Sequence, residues 1–255
     1  MPQGFSGVGL VHSHIRTVTG GKGIGTFWGN CPQLKVDFTP NAVERNESMT
    51  TARAPYRRMT QATQGSITLV TDEFNKKNVA NTLLARVDEV AAGGSVNHTW
   101  PTGAVVSDVL STPDKNPQSV VVTDSSGSPK TLLLNVNYTL DAFSGNVKLT
   151  DLTTGGPFVQ PFKAAYTKGA VSVIAGLAVP APELWFAIAG INADSGLPFA
   201  ADIYRVRVDV AKTFSWINSE YQDFELSGSL LQDSTKVANA VGGQFYSIAL
   251  PSTHE

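Results

Sequence analysis

The chain has 255 residues, 42% of them hydrophobic and only 16% charged, with 23 glycines, 14 prolines and a formal net charge of −2. That length buries a core without covalent staples. The single Cys31 excludes an intramolecular disulfide and a multi-thiolate zinc site, and the charge balance argues against a broad phosphate-neutralising face. A surface with so few charges points to burial against further copies of the chain.

The opening Met1-Pro-Gln-Gly-Phe5 has neither the basic start nor the apolar core of a signal peptide. The single cysteine fits a reducing compartment, and without secretion the sequons at Asn46, Asn97 and Asn137 carry no weight. The longest apolar run, Val171 to Phe186, is interrupted by Ser172, Pro180, Pro182 and Glu183, which rules it out as one bilayer-crossing helix.

Residues 1–33 read as an extended N-terminal arm, glycine-rich at Gly4, Gly7 and Gly9 and again at Gly20, Gly21, Gly23 and Gly25, ordered by whatever it lies on. Residues 34–255 then read as one β-rich domain, with 95–131 a candidate insertion. A strand is predicted over Leu34 to Thr39, with Leu34, Val36 and Phe38 inward. The polar loop Pro40 to Gln64 follows, and Gly65 leads into a strand over Ser66 to Thr71.

One helix is predicted over Asp72 to Val90, with Asp72 as N-cap and Glu73 favouring the positive end of the helix. Val79, Leu83, Val87 and Val90 fall at spacings of four, four and three and draw one apolar stripe, and Gly93-Gly94 ends it. Such a helix covers one face of a sheet.

Pro101, Pro113, Pro117 and Pro129 punctuate 95–131, around a strand near Ser119 to Thr123 and a turn at Asp124 to Ser128. A hairpin follows, Leu132 to Leu140 returning as Val147 to Leu152 through a turn containing Gly145. Further strands are predicted at Phe162 to Tyr166 and Val171 to Val179.

Glu183 to Asp233 carries the clearest pattern. Leu184, Phe186 and Ile188 share one parity, as do Tyr204, Val206 and Val208, then Phe224, Leu226 and Leu230. Arg205, Arg207, Asp209, Glu225, Ser227 and Ser229 take the other. One dry and one wet face make half-buried antiparallel strands. A short helical turn is predicted at Ala211 to Asn218, and a last apolar run at Phe245 to Leu250.

Catalytic patterns find no support. Gly20-Gly21-Lys22-Gly23-Ile24-Gly25-Thr26 has the composition of a phosphate loop without its spacing or a following helix. His12 and His14 share one side of an extended segment, but His98 and His254 are remote in sequence, and metal sites need three or four ligands. Cys31 has no nearby histidine, and no Gly-x-Ser-x-Gly elbow occurs. No cofactor, metal or enzymatic activity is expected.

Arg53, Arg57 and Arg58 beside Tyr56 are the strongest local charge signal. Three guanidiniums pair with carboxylates of a neighbouring subunit, lie solvated, or grip phosphates; too few cations flank them for a nucleic-acid groove.

Two blocks carry a family resemblance. One runs from Leu34-Lys-Val-Asp-Phe-Thr-Pro40 through Glu44-Arg-Asn-Glu-Ser-Met49 and Pro55-Tyr-Arg-Arg58 to Gly65-Ser-Ile-Thr-Leu-Val-Thr-Asp-Glu-Phe-Asn75. The other runs from Leu184-Trp-Phe-Ala-Ile-Ala-Gly-Ile-Asn-Ala-Asp-Ser-Gly-Leu-Pro198 through Asp202-Ile-Tyr-Arg-Val-Arg-Val-Asp209 to Phe224-Glu-Leu-Ser-Gly-Ser-Leu-Leu-Gln-Asp233. Together, over rather under half the chain, they resemble the tail tube proteins (major tail proteins) of long-tailed bacteriophages.

The resemblance implies an antiparallel β-barrel or sandwich flanked by one helix, in hexameric rings that stack as the conduit for DNA from capsid to host. Ser66 to Thr71 and Ile203 to Asp209 would be core strands, Asp72 to Val90 the outer helix, and Pro40 to Gln64 the long loop reaching the adjacent ring. Glu44, Arg45, Glu47, Arg53, Tyr56, Arg57 and Arg58 are then candidate intersubunit contacts. Asp223 and Glu225 are candidate lumen residues, since a lumen that lets DNA pass favours mild acidity. The implied partners are further copies, the tail terminator, baseplate or tip proteins, and the passing double-stranded DNA, in a virion tail assembled in the host cytoplasm. Rival readings are an inner-tube protein of a contractile secretion-like system, a tail terminator, and a carbohydrate-binding β-sandwich module.

Overall fold

The computed structural model describes residues 4–236 and 243–251. In chain order its elements are β1 (Gly7–Arg16), β2 (Lys22–Phe27), β3 (Gln33–Asn46), β4 (Pro55–Thr71), α1 (Lys76–Thr82), β5 (Arg86–Val90), β6 (Ser95–Thr99), β7 (Val109–Ser111) and β8 (Gln118–Thr123). They continue as β9 (Tyr138–Asp141), β10 (Asn146–Leu149), β11 (Lys163–Thr167), β12 (Val171–Ala175), β13 (Glu183–Asn192), β14 (Pro198–Val208), β15 (Phe224–Leu230) and β16 (Tyr246–Ala249). The protein is mainly β, with antiparallel sheets and one helix. Two compact units divide it: the chain up to Arg86 together with that from Ile174, and Val87–Val173. The boundary therefore falls wider than the expected insertion at 95–131.

The first unit is an eight-stranded sheet in the order β2-β1-β13-β14-β15-β4-β3, with β16 beside the first half of β14. Its dry face gathers Val11, Trp28, Ile67, Leu69, Leu184, Phe186, Val206, Val208, Leu226 and Leu230 into one core. A sandwich-like fold fits this arrangement. Among the described residues β2 and β3 end the sheet without pairing to each other, and no closed barrel forms.

The expected arm is instead β1 and β2, both built into the sheet. Glycine hid them from a pattern search while serving the packing. A Cβ on Gly9 would stand 2.5 Å from the Ala189 carbonyl oxygen and 2.6 Å from the Gly190 Cα, so only glycine admits this strand approach.

Tyr204 is a second correction. Leu184 pairs with Val206 but Phe186 pairs with Ile203, so Tyr204 and Arg205 together oppose Trp185. This bulge reverses parity along β14. Ile203 takes the core position, and Tyr204 packs on the other face against Trp185, with ring centroids 4.9 Å apart.

The helix is shorter than expected. α1 starts from Asn75, whose Oδ1 accepts the Lys77 and Asn78 amides at 3.1 and 2.9 Å, so Asn75 and not Asp72 is the N-cap. It ends in a left-handed turn at Leu84 (φ 48°), with the Ala85 amide donating to the Ala80 carbonyl at 2.7 Å. That is a Schellman closure with leucine where glycine is usual, which is why nothing in the sequence announced it. Val79 is buried and Leu83 is half-buried at the C-cap, but Val87 and Val90 belong to β5, and Gly93-Gly94 turns β5 towards β6. Trp28, fully buried, ties this region together: its indole donates to Ser13 Oγ at 2.9 Å, and its carbonyl accepts from Thr71 Oγ1 and Asn78 Nδ2.

The polar loop expected at Pro40 to Gln64 is mostly strand. β3 and β4 stay paired from Gln33–Val70 out to Asn46–Pro55, with bulges beside Asn41 and Arg45. With neither face dry, no alternation marked it. The segment Ala211 to Asn218 holds no helical turn.

The second unit packs two three-stranded sheets, β7-β10-β9 and β6-β11-β8, around Trp100, Val122, Leu132, Tyr138, Val147, Leu149, Phe162, Ala164 and Tyr166. The expected hairpin is present as β9 and β10 around Gly145 (φ 73°), but 132–137 is irregular and not strand. Asn137 there accepts the Leu133 amide and donates to the Asp151 and Thr154 carbonyls. The crossing strands β5 and β12 pair with each other.

Candidate assembly interface

Beyond the core-backed part of the sheet, the β3–β4 hairpin runs on as a two-stranded ribbon. From Phe38 to Gln64 no described side chain is buried. Val43 faces Met59 across the ribbon, and both are exposed; Tyr56 and Met49 are exposed as well, Met49 at 83%. A two-stranded ribbon with no packing face is marginal by itself in water.

The ribbon end holds the predicted contact residues. Glu44 and Arg58 are cross-strand partners with Arg58 Nε 3.4 Å from Glu44 Oε1. Arg45 lies directly opposite Arg57, a like-charge pair that costs stability unless something anionic lies over it. Arg57 also stacks on Tyr56, 5.4 Å from its ring centroid. Glu47 accepts from Thr50 Oγ1 and closes the tip through its amide to Ala54, and Arg53 sits at the tip with φ 46°. Among the described residues Arg45, Arg53 and Arg57 make no ion pair.

At the other end of β4, beyond Thr71, lies a feature the sequence reading missed. The β14–β15 connection exposes Trp216 (84%), Ile217 (95%) and Tyr221, which is fully exposed. Phe214 joins Trp216 to Phe224, and Phe224 to Phe74, through ring contacts of 4.7 to 5.6 Å. Along the chain Asp209, Glu220, Asp223 and Glu225 flank them, against a single Lys212. The available signal was five aromatic or large aliphatic residues from Phe214 to Phe224 without strand or helix period.

The wet face of β3, β4 and β15 carries small polar side chains: Ser66 and Thr68 between Asp37 and Lys35 on one side, Ser229 and Ser227 on the other. Lys35 Nζ is 3.0 Å from Asp37 Oδ2. Glu225 is exposed on this face; Asp223 is exposed outside the strand, in the loop before it.

Towards β1 the same sheet carries a charged network. Arg205 gives Nε and Nη2 to Glu183 at 2.9 and 2.7 Å, and this fork holds the Glu183 carboxyl below its usual range. Asp233 is fully buried. Burial alone would raise its pKa, but the Thr235 hydroxyl and amide (2.6 and 3.0 Å) and Arg16 Nη2 (2.6 Å) outweigh that and hold it low. Lys236 lies over Trp185 and Tyr204, at 5.0 and 4.9 Å.

Other chemistry gains little. His12 lies against Phe27, His14 Nδ1 is 3.2 Å from the Gly23 carbonyl, and His98 is in the second unit; His254 falls outside the described residues. Among the described residues no group of three His, Cys, Asp or Glu side chains could hold a metal ion. Burial pushes the Cys31 thiol up to about 11, which keeps it protonated and a poor nucleophile near neutrality. Cys31 lines an apolar trough of about 600 Å³ with Leu34, Val36, Phe199 and Ile248. No helix among the described residues is long and apolar enough to cross a membrane.

No curated protein matches the chain. A family model does, over residues 4–249, under the description "Protein of unknown function UCP028589". Since the match spans both units from β1 to β16, the chain belongs to that family.

Proposed function

We propose that this protein is a structural subunit of a phage tail tube, assembling as stacked hexameric rings that conduct double-stranded DNA. The observation that carries the reading is the bare β3–β4 ribbon, long, paired and unpacked, with Val43, Met59 and Tyr56 open to solvent near Arg45, Arg53 and Arg57, which make no ion pair among the described residues. Such a ribbon is stable when a neighbour supplies the face it lacks. The sheet also ends in two unpaired edges, β2 and β3, and a protein leaving both open invites pairing between copies. Joined edge to edge, sheets would close a ring.

The Ser and Thr face around Glu225 suits a channel wall, because Lys35 is tied to Asp37 and the small polar side chains of β4 and β15, bordered by Arg207 opposite Ser229, give phosphate little to hold. The carbohydrate-module reading is weaker. Trp28, Trp100 and Trp185 are buried, so no tryptophan platform is spread on one sheet face. Tail terminator and baseplate or tip proteins are the expected partners at the tube ends, in a virion tail assembled in the host cytoplasm.

Negative-stain microscopy of the purified protein at rising concentration tests the reading. Rings or tubes are expected; a monodisperse monomer at every concentration overturns it.

A further inference from the structure

We propose that the arginine-bearing tip of the β3–β4 ribbon docks on the aromatic, acidic β14–β15 loop of the next copy, a mating surface around Trp216, Ile217 and Tyr221. The inference rests on the self-assembly reading above and names its contact. Two features on this chain match in chemistry and are placed for one another.

The first is charge. The ribbon from 39 to 64 holds four arginines against two glutamates, while 209–225 holds four carboxylates against one lysine. Arg45, Arg53 and Arg57 on one side and Glu220 and Asp223 on the other make no ion pair among the described residues, so both sets are open to an external partner. Opposed potentials fix register and reject like-charged surfaces.

The second is apolar content. Val43 and Met59 stand exposed beside the Arg45–Arg57 pair, and Trp216 and Tyr221 stand exposed beside Glu220 and Asp223. Exposed Trp, Tyr and Arg are the residue types that dominate interface energetics, and guanidiniums stack on aromatic faces.

Position then decides what kind of contact results. The ribbon tip lies at the Pro55 end of β4, and Phe224, which opens β15, pairs with Thr71 at its other end. The two surfaces are thus separated along one 17-residue strand, about 55 Å at the usual rise. A chain cannot bring them together on itself. Joining one end to the other end of a neighbour is a heterologous contact, which propagates along the strand direction and does not close into a dimer. Asp223 then serves this contact and Glu225 the wet face.

The test is a charge swap between separately purified variants. Arg45→Glu with Arg57→Glu replaces one like-charge cross-strand pair by another, so the repulsion within that pair is kept while the sign of the tip reverses; Glu220→Lys with Asp223→Lys reverses the loop. With melting temperatures equal to the parent's, each variant alone is expected to need at least tenfold more protein than the parent to sediment as tubes. Mixed one to one, they should co-sediment as alternating assemblies, since acidic tip then meets basic loop and basic tip meets acidic loop. Trp216→Ala and Tyr221→Ala, without charge change, should each raise the assembly concentration severalfold, and they serve alone if a charge variant melts early. Parental assembly by either charge variant, a mixture that stays soluble, or parental assembly of both alanine variants overturns the contact while leaving self-assembly standing. A parent that never assembles overturns the tube reading itself.

Discussion

Arg16 and Asp233 show how much a single buried charge depends on its neighbours. Asp233 is fully buried and Arg16 nearly so; Arg16 Nε and Asp233 Oδ2 have no hydrogen-bond partner among the described residues, and the contact at Arg16 Nη2 carries the pair. Arg16→Met should destabilise the protein by about 3–5 kcal/mol, because it strands a buried carboxylate; urea unfolding monitored by tryptophan fluorescence reads this. The pH dependence has a definite sign. Asp233 and Glu183 both titrate below their ordinary values when folded. Their contribution is complete above about pH 4 and drains as pH falls through the depressed values. Arg16→Met should flatten that acid limb, which a series of melts from neutral pH downwards would show. The network was invisible in the sequence, since Arg16 lies 217 residues from Asp233 and no local spacing joins the two.

At the scale of elements, legibility followed the presence of a dry face. Leu184, Phe186, Leu226 and Leu230 alternate and do lie in the core. The pattern misled where geometry slipped by one residue, at the Tyr204–Arg205 bulge, and where a cap used the wrong residue, at Leu84. Val79, Leu83, Val87 and Val90 satisfied a helical stripe by coincidence, because two of them are strand residues on the far side of that cap. The ribbon carrying Glu44, Arg45, Glu47, Arg53, Tyr56, Arg57 and Arg58 reads as loop in the sequence, since strands exposed on both faces have no period to detect. For the short helix, the cap is the test: Asn75→Ala should cost about 1 kcal/mol, seen as a lower urea midpoint with an unchanged slope.

For the whole molecule, two separate cores imply two folding units. Leu69 belongs to one and Leu149 to the other, and both are completely buried. Each changed to Ala should lose about 2–5 kcal/mol. Calorimetry should resolve two transitions, with Leu69→Ala lowering one and Leu149→Ala the other; a single transition moved by both would show that the units unfold together. If the Ser and Thr face lines a channel, Glu225→Lys with Ser229→Lys should leave tube assembly intact and slow DNA ejection from phage, more so at low salt. Ejection at the parental rate through well-formed tubes would move that face away from the DNA path.

The unpacked ribbon also makes the free subunit chemically vulnerable in a way the assembled one would not be. Arg53, Arg57 and Arg58 sit at exposed positions on a ribbon with no core behind it, and trypsin cleaves after arginine in segments that open locally. Free protein should be nicked there quickly into two fragments, while copies whose ribbons are covered should resist. Digestion would then act as a clock for assembly: the nicked fraction measures protein not yet incorporated, and a cell that degrades stray subunits would meet its target at these arginines before anywhere in the two cores.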